Sequence, residues 1–211
     1  MEKRHQVHNL IILDESGSME SIKNNIVSGF NELVETIKGI EKQYPEQEHF
    51  ISFVSFNGLG IKEHIFLEPV SKLKKIDHRK YRPNASTPLL DAMGYSINKL
   101  KQSLEERQAD FNVLVTILTD GEENSSREFS GYQIRALVEE LKQKRWTFTY
   151  IGTDHDVERV AISLSIENTM VFEKNVDDIK EMFKKEQYAR AKYSEKIRAN
   201  EDTATEYFTN D

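Results

Sequence analysis

Short apolar runs alternate with stretches of three-and-four apolar spacing from one end of the chain to the other. That is the pattern of a mainly parallel sheet covered by helices on both faces. A first strand is predicted over residues 7–13, where Val7, Leu10, Ile11, Ile12 and Leu13 read as a central strand buried on both sides. The helix after it carries Ile22, Ile26, Phe30, Leu33, Val34, Ile37 and Ile40 as one stripe and stops before Pro45. Residues 50–56 and 61–70 flank Asn57-Gly58-Leu59-Gly60, a link that suits a hairpin rather than a crossover, so one strand is expected to run antiparallel. Thr87-Pro88 opens a second helix carrying Leu89, Leu90, Met93, Ile97, Leu100 and Leu104, with Pro88 at its first position.

Residues 113–119 form a second fully buried strand. A helix near 132–144, a strand at 147–151, a short helix near 157–164, a strand near Met170 and a last helix from about Asp177 complete the series. The stripe of that last helix, Val176, Ile179 and Phe183, fades, and nothing periodic survives past Ile197. One domain is therefore expected over residues 1–197, with a polar, frayed tail over 198–211.

A chain of 211 residues can bury a real core, and 37% hydrophobic against 31% charged residues with net charge −7 is a globular composition. The chain has no cysteine, which removes disulfides, thiolate zinc sites and cysteine nucleophiles, so any metal must sit on oxygen or histidine. Met1 to His8 are mostly polar and the apolar run 10–13 is too short for a signal-peptide core or a membrane span, so a cytoplasmic location without membrane contact is expected. Lys72, Lys74, Lys75, His78, Arg79 and Lys80 are the densest basic cluster; with Leu73, Ile76 and Asp77 between them they read as a solvated loop, and no nucleic-acid partner is expected.

The chemistry gathers in Asp14-Glu15-Ser16-Gly17-Ser18, where the first buried strand ends and its helix has not begun. In open α/β sheets ligands collect outside the carboxyl ends of strands, and a curved loop with Gly17 can turn Asp14, Ser16 and Ser18 to one side. Asp120, before Gly121, stands at the same position after the other long buried strand, and Thr87 is the third piece. Singly, each has a structural reading: the aspartates as turn residues, Ser18 and Thr87 as helix caps. Together, two carboxylates and three hydroxyls make a set of hard oxygen donors that suits magnesium, with manganese as a substitute and calcium disfavoured.

Asp14-Glu15-Ser16-Gly17-Ser18-Met19, with Thr87 in Ser86-Thr87-Pro88-Leu89 and Asp120 in Leu118-Thr119-Asp120-Gly121, resembles the metal-ion-dependent adhesion site of von Willebrand factor type A (vWA) domains, over about residues 7–183. The resemblance implies a Rossmann-like three-layer α/β sandwich, its mainly parallel sheet of about six strands carrying one antiparallel edge strand. It implies a metal site at Asp14, Ser16, Ser18, Thr87 and Asp120, with the hydroxyls on the metal and the aspartates acting largely through water. The open position would take an Asp or Glu carboxylate of a partner protein. Members without a secreted context resemble bacterial intracellular modules that work inside larger assemblies, including tellurium-resistance-type modules and partners of AAA ATPases.

By the same resemblance Asp91 is a candidate for the layer behind the metal ligands, though a carboxylate in a first helical turn is favourable without any metal. Glu15, Glu122, Glu123 and Asn124 are expected to rim the site, Gly152-Thr153-Asp154-His155-Asp156 to shape the groove, and Trp146 to be core. The rival reading is a haloacid dehalogenase-like phosphatase with Asp14 as nucleophile; that family expects a second aspartate where Ser16 stands, and no lysine occupies an obvious partner position. Serine hydrolysis lacks its elbow motif, and no enzyme is expected. A scaffold with an inert metal site is the other alternative.

Overall fold

The computed structural model describes residues 4–105, 110–153 and 156–208. Strand β1 (His5–Asp14) passes through a 3-10 turn at Gly17–Ile22 into helix α1 (Lys23–Gln43). The hairpin β2 (Gln47–Asn57) and β3 (Gly60–Pro69) follows, then α2 (Leu89–Glu105), β4 (Phe111–Leu118) and α3 (Gly131–Lys142). The chain continues with β5 (Trp146–Thr153), α4 (Val157–Ser163), β6 (Asn168–Phe172) and α5 (Val176–Ala199). The strands make one six-stranded sheet in the order β3-β2-β1-β4-β5-β6. Every pairing is parallel except β2 with β3, so the antiparallel strand expected from Asn57-Gly58-Leu59-Gly60 lies at the edge. Gly60 closes that hairpin at φ 137°, a backbone region a side chain would strain.

Side-chain alternation along β1 explains the layers. Leu10 and Ile12 belong to the core layer that α2, α3 and α4 cover on one face, while Ile11 and Leu13 belong to the layer that α1 and α5 cover on the other. Each of these four residues is at most 2% exposed, and burying one is worth about 2 kcal/mol. Helices α1 and α5 approach closely at Gly29, where a Cβ would lie 1.9 Å from the Phe183 ring. Trp146 is core, as expected, and Lys72, Lys74, Lys75, His78, Arg79 and Lys80 are all exposed around the buried Leu73 and Ile76.

Of the frayed tail expected over 198–211, residues 198–208 are described and pack against the sheet, while 209–211 lie outside the described residues. Where the apolar stripe of α5 fades, a buried ionic anchor takes over: Arg190 donates to Glu186 Oε1 at 2.6 Å, to Asn9 Oδ1 at 2.8 Å and to Thr116 Oγ1 at 2.7 Å. Helix α5 ends at Asn200, which adopts the left-handed conformation, and the chain then folds back across the sheet ends. Thr203 accepts from Asn112 and Thr147, the Tyr207 N–H donates to Asn168, and Thr203 and Tyr207 are buried. Hydrogen bonds to strand termini and the packing of Tyr207 on Val7, Leu114 and Tyr193 hold this segment, and neither leaves a hydrophobic period in the sequence.

Strand order reverses at β1, with β2 to one side and β4 to the other. The carboxyl ends of β1 and β4 therefore flank the switch point where such sheets bind ligands.

Candidate metal centre

Leu13 of β1 stands opposite Leu118 of β4, so Asp14 and the segment Thr119-Asp120-Gly121 leave the sheet side by side. Asp14 is fully buried: Oδ1 accepts the Ser16 N–H at 2.7 Å and Oδ2 accepts the Thr119 hydroxyl at 2.6 Å. Ser16 Oγ lies 3.1 Å from Ser18 Oγ, and the Ser18 hydroxyl donates to Asp120 Oδ1 at 2.6 Å. Thr87 arrives from a different loop. A Cβ built on Gly121 would stand 3.1 Å from Thr87 Oγ1, 3.3 Å from Ser18 Oγ and 3.7 Å from Asp14 Oδ2. Oxygens of Thr87, Ser18 and Asp14 thus face a small cradle held open because residue 121 has no side chain, and Ser16 and Asp120 join it through their contacts with Ser18.

Backbone bonds stitch the three loops together. Gly17 N–H donates to the Ala85 carbonyl at 3.0 Å, Asn84 N–H to the Glu15 carbonyl at 2.9 Å, and the Tyr81 hydroxyl to the Asp14 carbonyl at 2.7 Å. Asn124 clamps Thr87 from both sides, its Oδ1 accepting the Thr87 N–H at 2.9 Å and its own N–H donating to the Thr87 carbonyl at 3.2 Å. Such bracing fixes donor positions before any ligand arrives.

Several residues expected at the rim prove to be braces. Glu15 is buried and accepts from the Ser55 hydroxyl at 2.6 Å and from the Arg82 N–H. Glu123 accepts from the N–H groups of Leu90, Ser125 and Ser126. Asp91 is turned away from the cradle: its carboxylate accepts the N–H groups of Arg127, Glu128 and Phe129, each at 2.9 Å. Burial alone would raise the Asp91 pKa, but those three donors hold it below the ordinary carboxylate value. Glu122 is exposed at the mouth. Thr153 donates to the Asp120 carbonyl at 3.0 Å, while Asp154 and His155 lie outside the described residues.

Two contributors escaped the sequence reading. Thr119 orients Asp14, and Lys174, from the loop between β6 and α5, places its Nζ 2.9 Å from Asp120 Oδ2. The lysine absent from any obvious position in the sequence therefore stands at the cradle, beside Asp120 rather than Asp14.

The electrostatics of the cradle favour a cation. Burial pushes Asp14 from an ordinary 3.8 up to about 6, against the hydrogen bonds of Thr119 and Ser16, and the nearby Asp120 charge adds to the rise. Among the described residues no three His, Cys, Asp or Glu side chains cluster as a metal site; the candidate donors are two carboxylates and three hydroxyls. A hard divalent cation fits that donor chemistry. Beside Thr87, between the hairpin and α2, Ser86 and Pro88 also line an open groove of about 670 Å³ that exposes Leu59 and Tyr95.

The sequence matches the von Willebrand factor type A domain model over residues 10–185. The chain belongs to that family. Comparison with curated proteins finds no match. Among solved structures, the fold is similar to a von Willebrand factor type A protein from Catenulispora acidiphila, with TM-score 0.57, 14% identity, and coverage of 89% of this chain and 43% of that one. It is similar to the pilus adhesin SpaC of Lactobacillus rhamnosus GG in its open conformation, with TM-score 0.62, 11% identity, and coverage of 91% and 30%. The SpRpn10 VWA domain matches with TM-score 0.53 and 10% identity over 87% of this chain and 94% of its own. This VWA domain thus spans less than half the length of the first two proteins, and at these identities the likeness is one of fold. No helix among the described residues is long and apolar enough to cross a membrane.

Proposed function

We propose that this VWA domain is a protein-binding module that works with a divalent cation, magnesium first and manganese as substitute, held by Asp14, Ser16, Ser18, Thr87 and Asp120. The observation that carries this reading is the cradle at Gly121, where Thr87, Ser18 and Asp14 oxygens face one point around a carboxylate that burial makes costly to ionise alone. When bound, the cation supplies an electrophilic position for an Asp or Glu carboxylate of the partner. The chain's own residues set its strength: with three neutral hydroxyls in the set, the two aspartates balance a divalent charge without swamping it with further anions. Thr119 and the Ser16 N–H fix the Asp14 carboxylate, and Asn124 fixes Thr87, so the donor set is positioned in advance. The groove beside Thr87 offers apolar surface on the same edge of the sheet.

No reaction is assigned to the site. Both oxygens of Asp14 are engaged by Ser16 and Thr119, and two residues on stands Ser16 rather than an acid, which argues against Asp14 as a phosphatase nucleophile. A cytoplasmic setting belongs to the same proposal. The test is capture of partners on immobilised protein in magnesium and in EDTA, beside Gly121→Ala, whose methyl group would fill the cradle. The expected partner is retained by wild type in magnesium, is released by EDTA, fails to bind Gly121→Ala, and loses affinity when one of its acidic residues is neutralised. Equal retention in EDTA and by Gly121→Ala would overturn the proposal.

A further inference from the structure

Lys174 is the feature of the cradle that metal binding leaves unexplained. Its ammonium lies 2.9 Å from Asp120 Oδ2; the Asp120 side chain is 0% exposed and that of Lys174 39% exposed. The loop that carries it is held on both sides. Asn175 caps α5 by accepting the Asp178 N–H at 2.9 Å, and the Glu173 N–H donates to Asp178 Oδ2 at 3.0 Å. The side chain therefore reaches a buried carboxylate from a fixed base. The Ser18 hydroxyl donates to Oδ1, whereas Oδ2 is buried without a hydrogen-bond donor and has the Lys174 ammonium as its ion-pair contact.

We propose that Lys174 is a tethered counter-ion of the cradle that competes with the divalent cation for Asp120 and so sets how tightly the metal is held. This rests on the metal reading above. Two carboxylates facing one desolvated cradle repel, and a positive charge at contact distance from one of them relieves that repulsion when no metal is present. A divalent cation using Asp120 must break or share the same ion pair, so loading is an exchange of one cation for another. Without the ammonium, the metal-free protein keeps an uncompensated Asp120 and the metal meets no competitor. A bystander lysine on the rim would have the opposite signature: at most it would lose a weak surface ion pair, equally with and without metal.

The experiment is isothermal titration of magnesium and manganese into metal-free wild type, Lys174→Met, Lys174→Arg and Gly121→Ala, with thermal melts of each in EDTA and in saturating magnesium. Lys174→Met should bind the metal about tenfold more tightly, in keeping with removal of a close, partly buried charge. Lys174→Arg should stay near wild type. In EDTA the Met variant should melt below wild type, and magnesium should raise its melting temperature by more than it raises that of wild type. If wild type binds metal, Gly121→Ala does not, and Lys174→Met binds equally or more weakly, the counter-ion role is wrong and the metal reading stands. If wild type shows no binding that Gly121→Ala abolishes, both fall together.

Discussion

Replacing Asp14 by asparagine should stabilise the metal-free protein while removing its response to magnesium. Burial raises the Asp14 pKa from 3.8 to about 6 in the folded state, so ionising this carboxylate opposes folding by about 3 kcal/mol at neutral pH. The penalty is absent below about pH 4, where both states hold the proton, grows as pH rises between the two values, and is complete above about pH 6. Asparagine removes the charge but cannot accept both existing bonds. Thr119 can turn its hydroxyl toward the Gly121 carbonyl, 3.1 Å away, and accept from the new amide, which limits the loss to about 1 kcal/mol. The net gain is about 2 kcal/mol, or about 4–8 °C in Tm for a chain of this size. With magnesium at a hundred times its Kd, wild type should gain about 2.7 kcal/mol, and Asp14→Asn should lose most of that increment. The two stability curves should therefore cross between EDTA and magnesium. Urea melts of both proteins with and without metal, repeated from neutral pH down to about pH 4, measure the crossing and the disappearance of the metal-free gap. A variant less stable than wild type in EDTA at neutral pH, or a gap that does not close on acidification, would refute the argument.

Gly29→Ala should cost about 1–3 kcal/mol by urea denaturation, because its Cβ would meet the Phe183 ring at 1.9 Å and force α1 from α5; a neutral result would mean that the helices part easily. His49, buried and pushed down to about 3 by desolvation and then by the Arg190, Arg4 and His5 charges, should titrate against folding. Its contribution is intact above the ordinary 6.5 and lost as pH falls toward 3, so at about pH 5 it removes about 2 kcal/mol, and His49→Gln should flatten that acid limb. Asp91→Ala should strand the N–H groups of Arg127, Glu128 and Phe129 and lower stability by about 2 kcal/mol; hydrogen exchange in this loop should rise, and unchanged protection would deny the brace.

The sheet was legible because its central strands are buried on both faces, so Leu10 to Leu13 appears as an unbroken apolar run and Val113 to Leu118 as one interrupted only by Thr116, and their position needs no partner to be guessed. The candidate site residues stood out because a loop at a strand end carries three of them within five positions, and Thr87 and Asp120 sit in the neighbouring loops that the fold brings beside it. Their supports were hidden. A carboxylate that braces backbone N–H groups, as Glu15, Glu123 and Asp91 do, has the same sequence appearance as one bathed in water. Lys174 was hidden because only the fold brings the loop before α5 against Asp120. The folded-back C-terminus was hidden for a related reason: Thr203 and Tyr207 are held by hydrogen bonds to Asn112, Thr147, Asn168 and Glu186, and hydrogen bonds impose no spacing on apolar residues.

Manganese binding followed by electron paramagnetic resonance tests the central claim most directly, because it counts free ion and needs neither a partner nor an activity. Wild type should take up a single saturable manganese ion per chain that magnesium displaces, and Thr87→Ala and Gly121→Ala should weaken that uptake at least about tenfold while remaining folded, since one removes a donor and the other fills the cradle. Absence of saturable uptake by wild type, or uptake that both variants retain unchanged, would contradict the claim that these five residues form a divalent-cation site.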